Sequence, residues 1–125
     1  MDASDYRDFT AVLDVDELTE RCLGHLDFLE RILAKFQKHF AQDLDLLAEG
    51  VEAEDAERIA QVAHRLKGAA ANVAAAGLRD QAAEIERLGR AGRLPEIRPR
   101  VAGIRDDWKR FVEEVASLDL HGAAR

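Results

Sequence analysis

One alanine-rich stretch, AHRLKGAAANVAAAG at positions 63–77, contains three residues whose types and spacing could do chemistry: His64, Lys67 and Gly68. An imidazole is a competent nucleophile near neutral pH because its ordinary pKa is about 6.5. On a helix that advances about 100° per residue, Lys67 lies one turn on and about 60° around from His64. Its ammonium therefore reaches an anion held at the ring. Gly68, one turn beyond His64, costs about 1 kcal/mol relative to alanine in a helix interior. A helix that tolerates this needs the space. Ala60, Ala71 and Ala75, with Glu57 and Gln61, are expected to complete a low, exposed face on which another protein's surface could approach the ring.

The helical phase decides which way that ring points. Ile59, Val62, Ala63, Leu66, Ala70 and Val73 fall within an arc of about 100° and form the stripe that must be buried, whereas His64 lies about 150° from its centre. The histidine is expected to face solvent from the middle of a helix.

The surrounding chain reads as helical throughout. Proline occurs only at positions 95 and 99, Ala, Leu, Glu and Arg dominate, and no alternating β-branched run appears. Asp14 or Asp16 is expected to cap a short helix over about 16–22, broken by Gly24. A second helix is expected from Asp27 to Ala48, with Leu29, Ile32, Leu33, Phe36, Phe40, Leu44 and Leu47 on one stripe and Gly50 as its stop. The third is expected over about 54–75, its first turn favoured by Glu52, Glu54 and Asp55 and its end closed by Gly77 as a left-handed cap. The fourth covers about 78–90. The fifth begins near Pro95 and carries Ile97, Val101, Ile104, Trp108, Phe111, Val115 and Leu118 in alternating steps of four and three. These elements predict an all-α antiparallel up-and-down four-helix bundle with a short additional N-terminal helix. Residues 1–14 form an N-terminal arm, 15–118 the bundle, and 119–125 a C-terminal tail.

Composition narrows the partners. The 125 residues are one domain's worth, and 47% apolar content suffices for one core. A formal charge of −7 argues against nucleic acid or an anionic membrane surface. The acidic N-terminus lacks the order of a signal peptide and no apolar run reaches membrane-spanning length, so the cytoplasm is the expected compartment. The single cysteine, Cys22, is expected to pack rather than react. His25, His39 and His121 provide no paired ligands with a third donor, so no metal site is expected.

The residues Ala63-His64-Arg65-Leu66-Lys67-Gly68 resemble the AHxLKG signature of histidine-containing phosphotransfer (HPt) domains, which are four-helix bundles in multistep two-component phosphorelays. Phe36, Gly50 and Leu78 also resemble the family's spacing, and the similarity covers most of residues 15–117. The resemblance implies that His64 accepts and donates the phosphoryl group, that Lys67 partly neutralises it, and that Gly68 clears room for it and for the docking partner. It further implies a polar side chain from the preceding helix near the histidine, with Gln37, Lys38 and His39 as candidates. Many members carry a glycine soon after the signature, where this chain has Ala74.

The implied partners are a receiver domain of a response regulator, a hybrid histidine kinase, or both. Mg²⁺ and an acidic pocket would belong to the receiver, and no cofactor is expected on this chain. No P-loop or glycine-rich nucleotide lid is present, so autonomous kinase activity is not expected. Arg65 stands where a kinase dimerisation helix usually carries an acidic residue, and five helices can close a bundle alone, which favours a monomer. The alternative reading is a non-catalytic helical adaptor that docks receiver or kinase domains through the small-residue face around His64.

Overall fold

The computed structural model describes residues 15–118; the predicted arm over 1–14, the candidate cap Asp14 and the tail over 119–125 with His121 lie outside the described residues. Within them the chain forms five helices and no strand: α1 (Val15–Arg21), α2 (Leu26–Glu52), α3 (Ala56–Asn72), α4 (Ala76–Arg90) and α5 (Leu94–Ser117). Each long helix packs on the next, α5 returns to α2, and α1 packs on α2. The ring formed by α2 to α5 encloses one core.

The stripes read from the sequence are the ones that fill it. Leu29, Leu33, Phe36, Phe40, Leu44 and Leu47 of α2 are buried, as are Ile59, Val62, Ala63, Leu66 and Ala70 of α3 and Ile97, Val101, Ile104 and Phe111 of α5. Trp108 is half-buried and stacks on Phe40 at 4.7 Å and on Phe111 at 5.3 Å between ring centroids. Phe36 meets Phe40 at 5.0 Å and Phe111 at 5.2 Å, so an aromatic cluster joins α2 to α5. Cys22 is buried in the same core.

The helix ends correct the sequence reading. Gly50 and Gly77 were expected to stop helices, yet Gly50 lies inside α2 and Gly77 inside α4. At Gly50 the reason is packing, since a Cβ built there would come within 3.1 Å of Ile59 Cγ1. The three connections of the ring instead share one turn. The amide of Asp55 bonds the carbonyl of Gly50, that of Ala75 bonds Ala70, and that of Arg93 bonds Leu88. These are six-to-one Schellman closures, which require a left-handed residue one position before the donor. Glu54 (φ 52°), Ala74 (φ 57°) and Gly92 (φ 70°) fill that position, so only one of the three is a glycine. Asp55 then caps α3 by accepting from the Arg58 amide at 3.1 Å. Asp16 sits within the first turn of α1 rather than capping it. Pro95 occupies the start of α5, and Pro99 lies a turn inside the helix.

Ala74 is where the resemblance led one to look for glycine, and its left-handed conformation gives the physical reason. Side-chain crowding in that region costs about 1 kcal/mol. Ala74→Gly is expected to stabilise the fold by about that amount, read as an increased urea midpoint with an unchanged slope.

Candidate functional site

His64 lies mid-way along α3 with its side chain 62% exposed, as the helical phase predicts. Its Nδ1 is 3.0 Å from Oε2 of Glu86, which reaches it from α4. Lys67 Nζ is 2.7 Å from the other oxygen, Oε1. Arg90, one turn on from Glu86, donates to Oε2 from Nη2 at 2.8 Å and from Nε at 3.2 Å. One carboxylate thus gathers the imidazole, an ammonium and a guanidinium into a single cluster.

Glu86 is the one charged side chain buried among the described residues. Burial alone would raise its carboxyl pKa. Hydrogen bonds from Lys67, Arg90 and His64, together with the Lys67 charge, outweigh burial and hold it at about 2, against an ordinary 4.5. The carboxylate is therefore ionised at neutral pH and can only accept hydrogen bonds. It follows that Nδ1 of His64 is the protonated ring nitrogen and donates to Glu86, leaving the lone pair on Nε2.

The depressed pKa carries a stability consequence of fixed sign. The Glu86 contribution is fully present above the unfolded-state value near 4.5 and is lost as the pH falls towards 2. Its partners are substantially exposed, so the contribution is expected to be about 1–2 kcal/mol. Acid unfolding of Glu86→Gln compared with wild type should show a stability difference that is constant above about pH 5 and shrinks through that window.

Gly68 is exposed, and a Cβ built on it meets nothing within 4 Å. No internal packing explains this glycine. Gly89 on α4 is the opposite case, because its Cβ would lie 3.0 Å from Ala56 O, Ala60 Cβ and Ala60 N. That close approach of α4 to α3 is what brings Glu86 within reach of His64.

The predicted small face is only partly present. Glu57 and Gln61 are exposed and Ala71 is half-buried. Ala60 is buried against Gly89, and Ala75 is buried in the α3–α4 turn. Both were expected to be exposed. Ala60 is covered because α4 packs without a side chain at Gly89, and Ala75 because α3 ends at Asn72 instead of continuing through it. An open groove lined by Ala56, Glu57, Ala60, Gly89, Arg90 and Gly92 lies at the first turns of α3, beside Arg90 of the cluster. At the far end of α3, Arg21 of α1 donates to the carbonyls of Ala71 and Asn72 at 2.9 and 3.3 Å, which satisfies acceptors the helix end leaves free.

The candidates on α2 are not part of the cluster. Gln37 lines a groove with Leu33, Ala34, Val115 and Leu118, between α2 and the end of α5. Lys38 and His39 are exposed. The polar neighbour of His64 comes from the following helix instead, as Glu86. On the α2 side, Asp43 pairs with Arg65, the residue after His64, at 3.0 Å. Glu86 and Arg90 were missed in the sequence, although a signal existed: Glu86 stands four residues after Ala82 and three before Gly89, an acidic residue at the edge of the apolar stripe of α4. Among the described residues no group of three or more His, Cys, Asp or Glu side chains converges as a metal site, and no helix is long and apolar enough to cross a membrane.

An exposed histidine with a fixed tautomer, two cations beside it and open space one turn away is an arrangement that can take and release an anionic group. The family model of the Hpt domain matches residues 31–117, which is well over half of the chain. The chain belongs to the Hpt domain family. The match begins within α2 and runs to the end of α5, so it includes the whole His64 cluster, while α1 precedes it. No curated protein and no solved structure matches the chain significantly. Membership of the Hpt family assigns the chain a phosphotransfer-type role in two-component signalling.

Proposed function

We propose that this Hpt domain relays a phosphoryl group between receiver-domain aspartates, or from a hybrid histidine kinase to a response regulator, through Nε2 of His64. The observation that carries this reading is the exposed ring whose Nδ1 proton is committed to Glu86. With that proton in place, the Nε2 lone pair attacks the phosphorus of an aspartyl phosphate. The P–O bond to the aspartate breaks, its electron pair stays on the carboxylate, and an N–P bond forms while Nδ1 keeps its proton. Such a transfer needs in-line positioning and charge neutralisation more than covalent help.

Lys67 and Arg90 would supply that neutralisation from this chain by turning from Glu86 to the phosphoryl oxygens. Mg²⁺ and the acidic pocket would come from the receiver. Gly68 would leave room for the phosphoryl group, and Glu57, Gln61 and the groove beside Arg90 would meet the receiver surface. Connections of three residues between the long helices support the antiparallel up-and-down arrangement. We propose a monomer acting in the cytoplasm.

Incubation with a phosphorylated receiver should label the protein with an acid-labile, base-stable phosphoryl group. Wild-type protein that never acquires such label contradicts the reading. Lys67→Ala should slow the transfer about tenfold or more in single-turnover kinetics, because one of two neutralising cations is lost while Arg90 remains. An unchanged transfer rate would remove Lys67 from the proposed machinery.

A further inference from the structure

Glu86 sets a carboxylate beside the group that is to carry a phosphate. It places a full negative charge 3.0 Å from Nδ1 of His64, on the side of the ring opposite Nε2. Its own two oxygens hold Lys67 and Arg90, the cations a phosphoryl group would need. A neutral amide of the same shape could accept the same hydrogen bond from Nδ1, so orientation of the ring does not require the charge. The charge must be accounted for separately.

We infer that Glu86 governs how readily phospho-His64 gives up its phosphoryl group, by holding on Nδ1 the proton that makes the imidazole a good leaving group. This rests on the reading of His64 as the phosphoryl carrier. When the N–P bond breaks, its electron pair returns to Nε2. If Nδ1 carries a proton, the group that leaves is neutral imidazole; if it does not, the group that leaves is the far more basic imidazolate. A carboxylate facing Nδ1 favours the protonated ring and keeps the phosphoryl group transferable to higher pH.

The other charged groups around the ring oppose or leave this effect unchanged. Lys67 on α3 and Arg90 on α4 are cations and disfavour the added proton. Arg65 on α3 is paired with Asp43 of α2, and Glu57 lies two turns before His64 on α3. All of these remain when Glu86 is changed to glutamine, but Lys67 and Arg90 then lose the carboxylate that pairs with them. As uncompensated cations they disfavour the added proton further, in the same direction as loss of the anion. Glu86 is ionised at neutral and alkaline pH.

The test compares wild type and Glu86→Gln after each is loaded with phosphoramidate, whose P–N bond breaks to release ammonia as Nε2 takes the phosphoryl group. Loss of the phosphoryl group in the absence of any receiver is then followed by ³¹P NMR across pH. The half-life of the phosphorylated Glu86→Gln protein at about pH 8.5 is expected to be about three- to tenfold longer than that of wild type. At about pH 5, where the acid medium can supply the proton whatever faces Nδ1, the two half-lives should approach each other. Equal half-lives at the higher pH, or a shorter one for Glu86→Gln, overturn the inference and leave His64 as the carrier. A second measurement uses wild type alone: the Nδ1 proton of phospho-His64 should be seen in ¹H–¹⁵N spectra at about pH 8, and its absence also overturns the inference. Wild-type protein that accepts phosphate from neither phosphoramidate nor a phosphorylated receiver overturns the relay reading and the inference with it.

Discussion

His64→Gln should abolish acquisition of acid-labile label from a phosphorylated receiver while leaving the fold as stable as wild type to within about 0.5 kcal/mol. The first part follows from the chemistry: an amide has no nucleophilic lone pair comparable to Nε2, and no other described histidine stands in this cluster. His25 adjoins the start of α2 and His39 is exposed on that helix. The second part follows from burial, because the side chain is 62% exposed and Glu86 keeps Lys67 and Arg90 when the ring is lost. Label that persists in His64→Gln would move the acceptor to another residue. Matched denaturant titrations check that the loss is chemical.

Gly89→Val is expected to cost about 3 kcal/mol of stability and to slow phosphoryl transfer as well. The added Cβ would press on the Ala56 carbonyl and on the Ala60 amide at 3.0 Å, and backbone atoms cannot swing aside as the end of a flexible side chain can. Helix α4 must then move off α3, which withdraws Glu86 from His64. Gly68→Ala is the mirror image. Its Cβ meets nothing, so the variant should be more stable by about 1 kcal/mol from helix propensity alone. It should nevertheless take phosphate from a receiver more slowly if, as proposed, the space it fills is the clearance a docking partner needs. Thermal or urea unfolding gives the two stability changes and single-turnover labelling gives the two rates. A Gly68→Ala protein that is stabilised and transfers at the wild-type rate would show that the clearance is not used.

The contrast between these two glycines also shows what could be read from the sequence and what could not. Helical periodicity located the buried stripes and turned His64 outward correctly, because both depend on residues within one helix. The short motif around His64 carried the resemblance that the family match bears out. Helix ends were less legible, since the left-handed closing position fell to Glu54 and Ala74 while Gly50 and Gly77 were placed inside helices. A glycine in a sequence does not say whether it serves a turn or a close approach. The helical phase places Ala60 on the surface because its burial depends on the absence of a side chain at Gly89, on another helix. Glu86 and Arg90 are hard to read for the same reason: nothing local to α4 indicates that its one buried charge lies against the exposed face of α3.

The central claim is that phosphate travels on one atom, Nε2 of His64, because Glu86 commits the proton to Nδ1. The most direct measurement is the ¹⁵N-resolved ³¹P spectrum of the protein after phosphorylation by a receiver. The account predicts one phosphorus coupled to Nε2 of His64, with Nδ1 of the unphosphorylated ring observed as the protonated nitrogen. A phosphorus coupled to Nδ1, or to any other histidine, would contradict it.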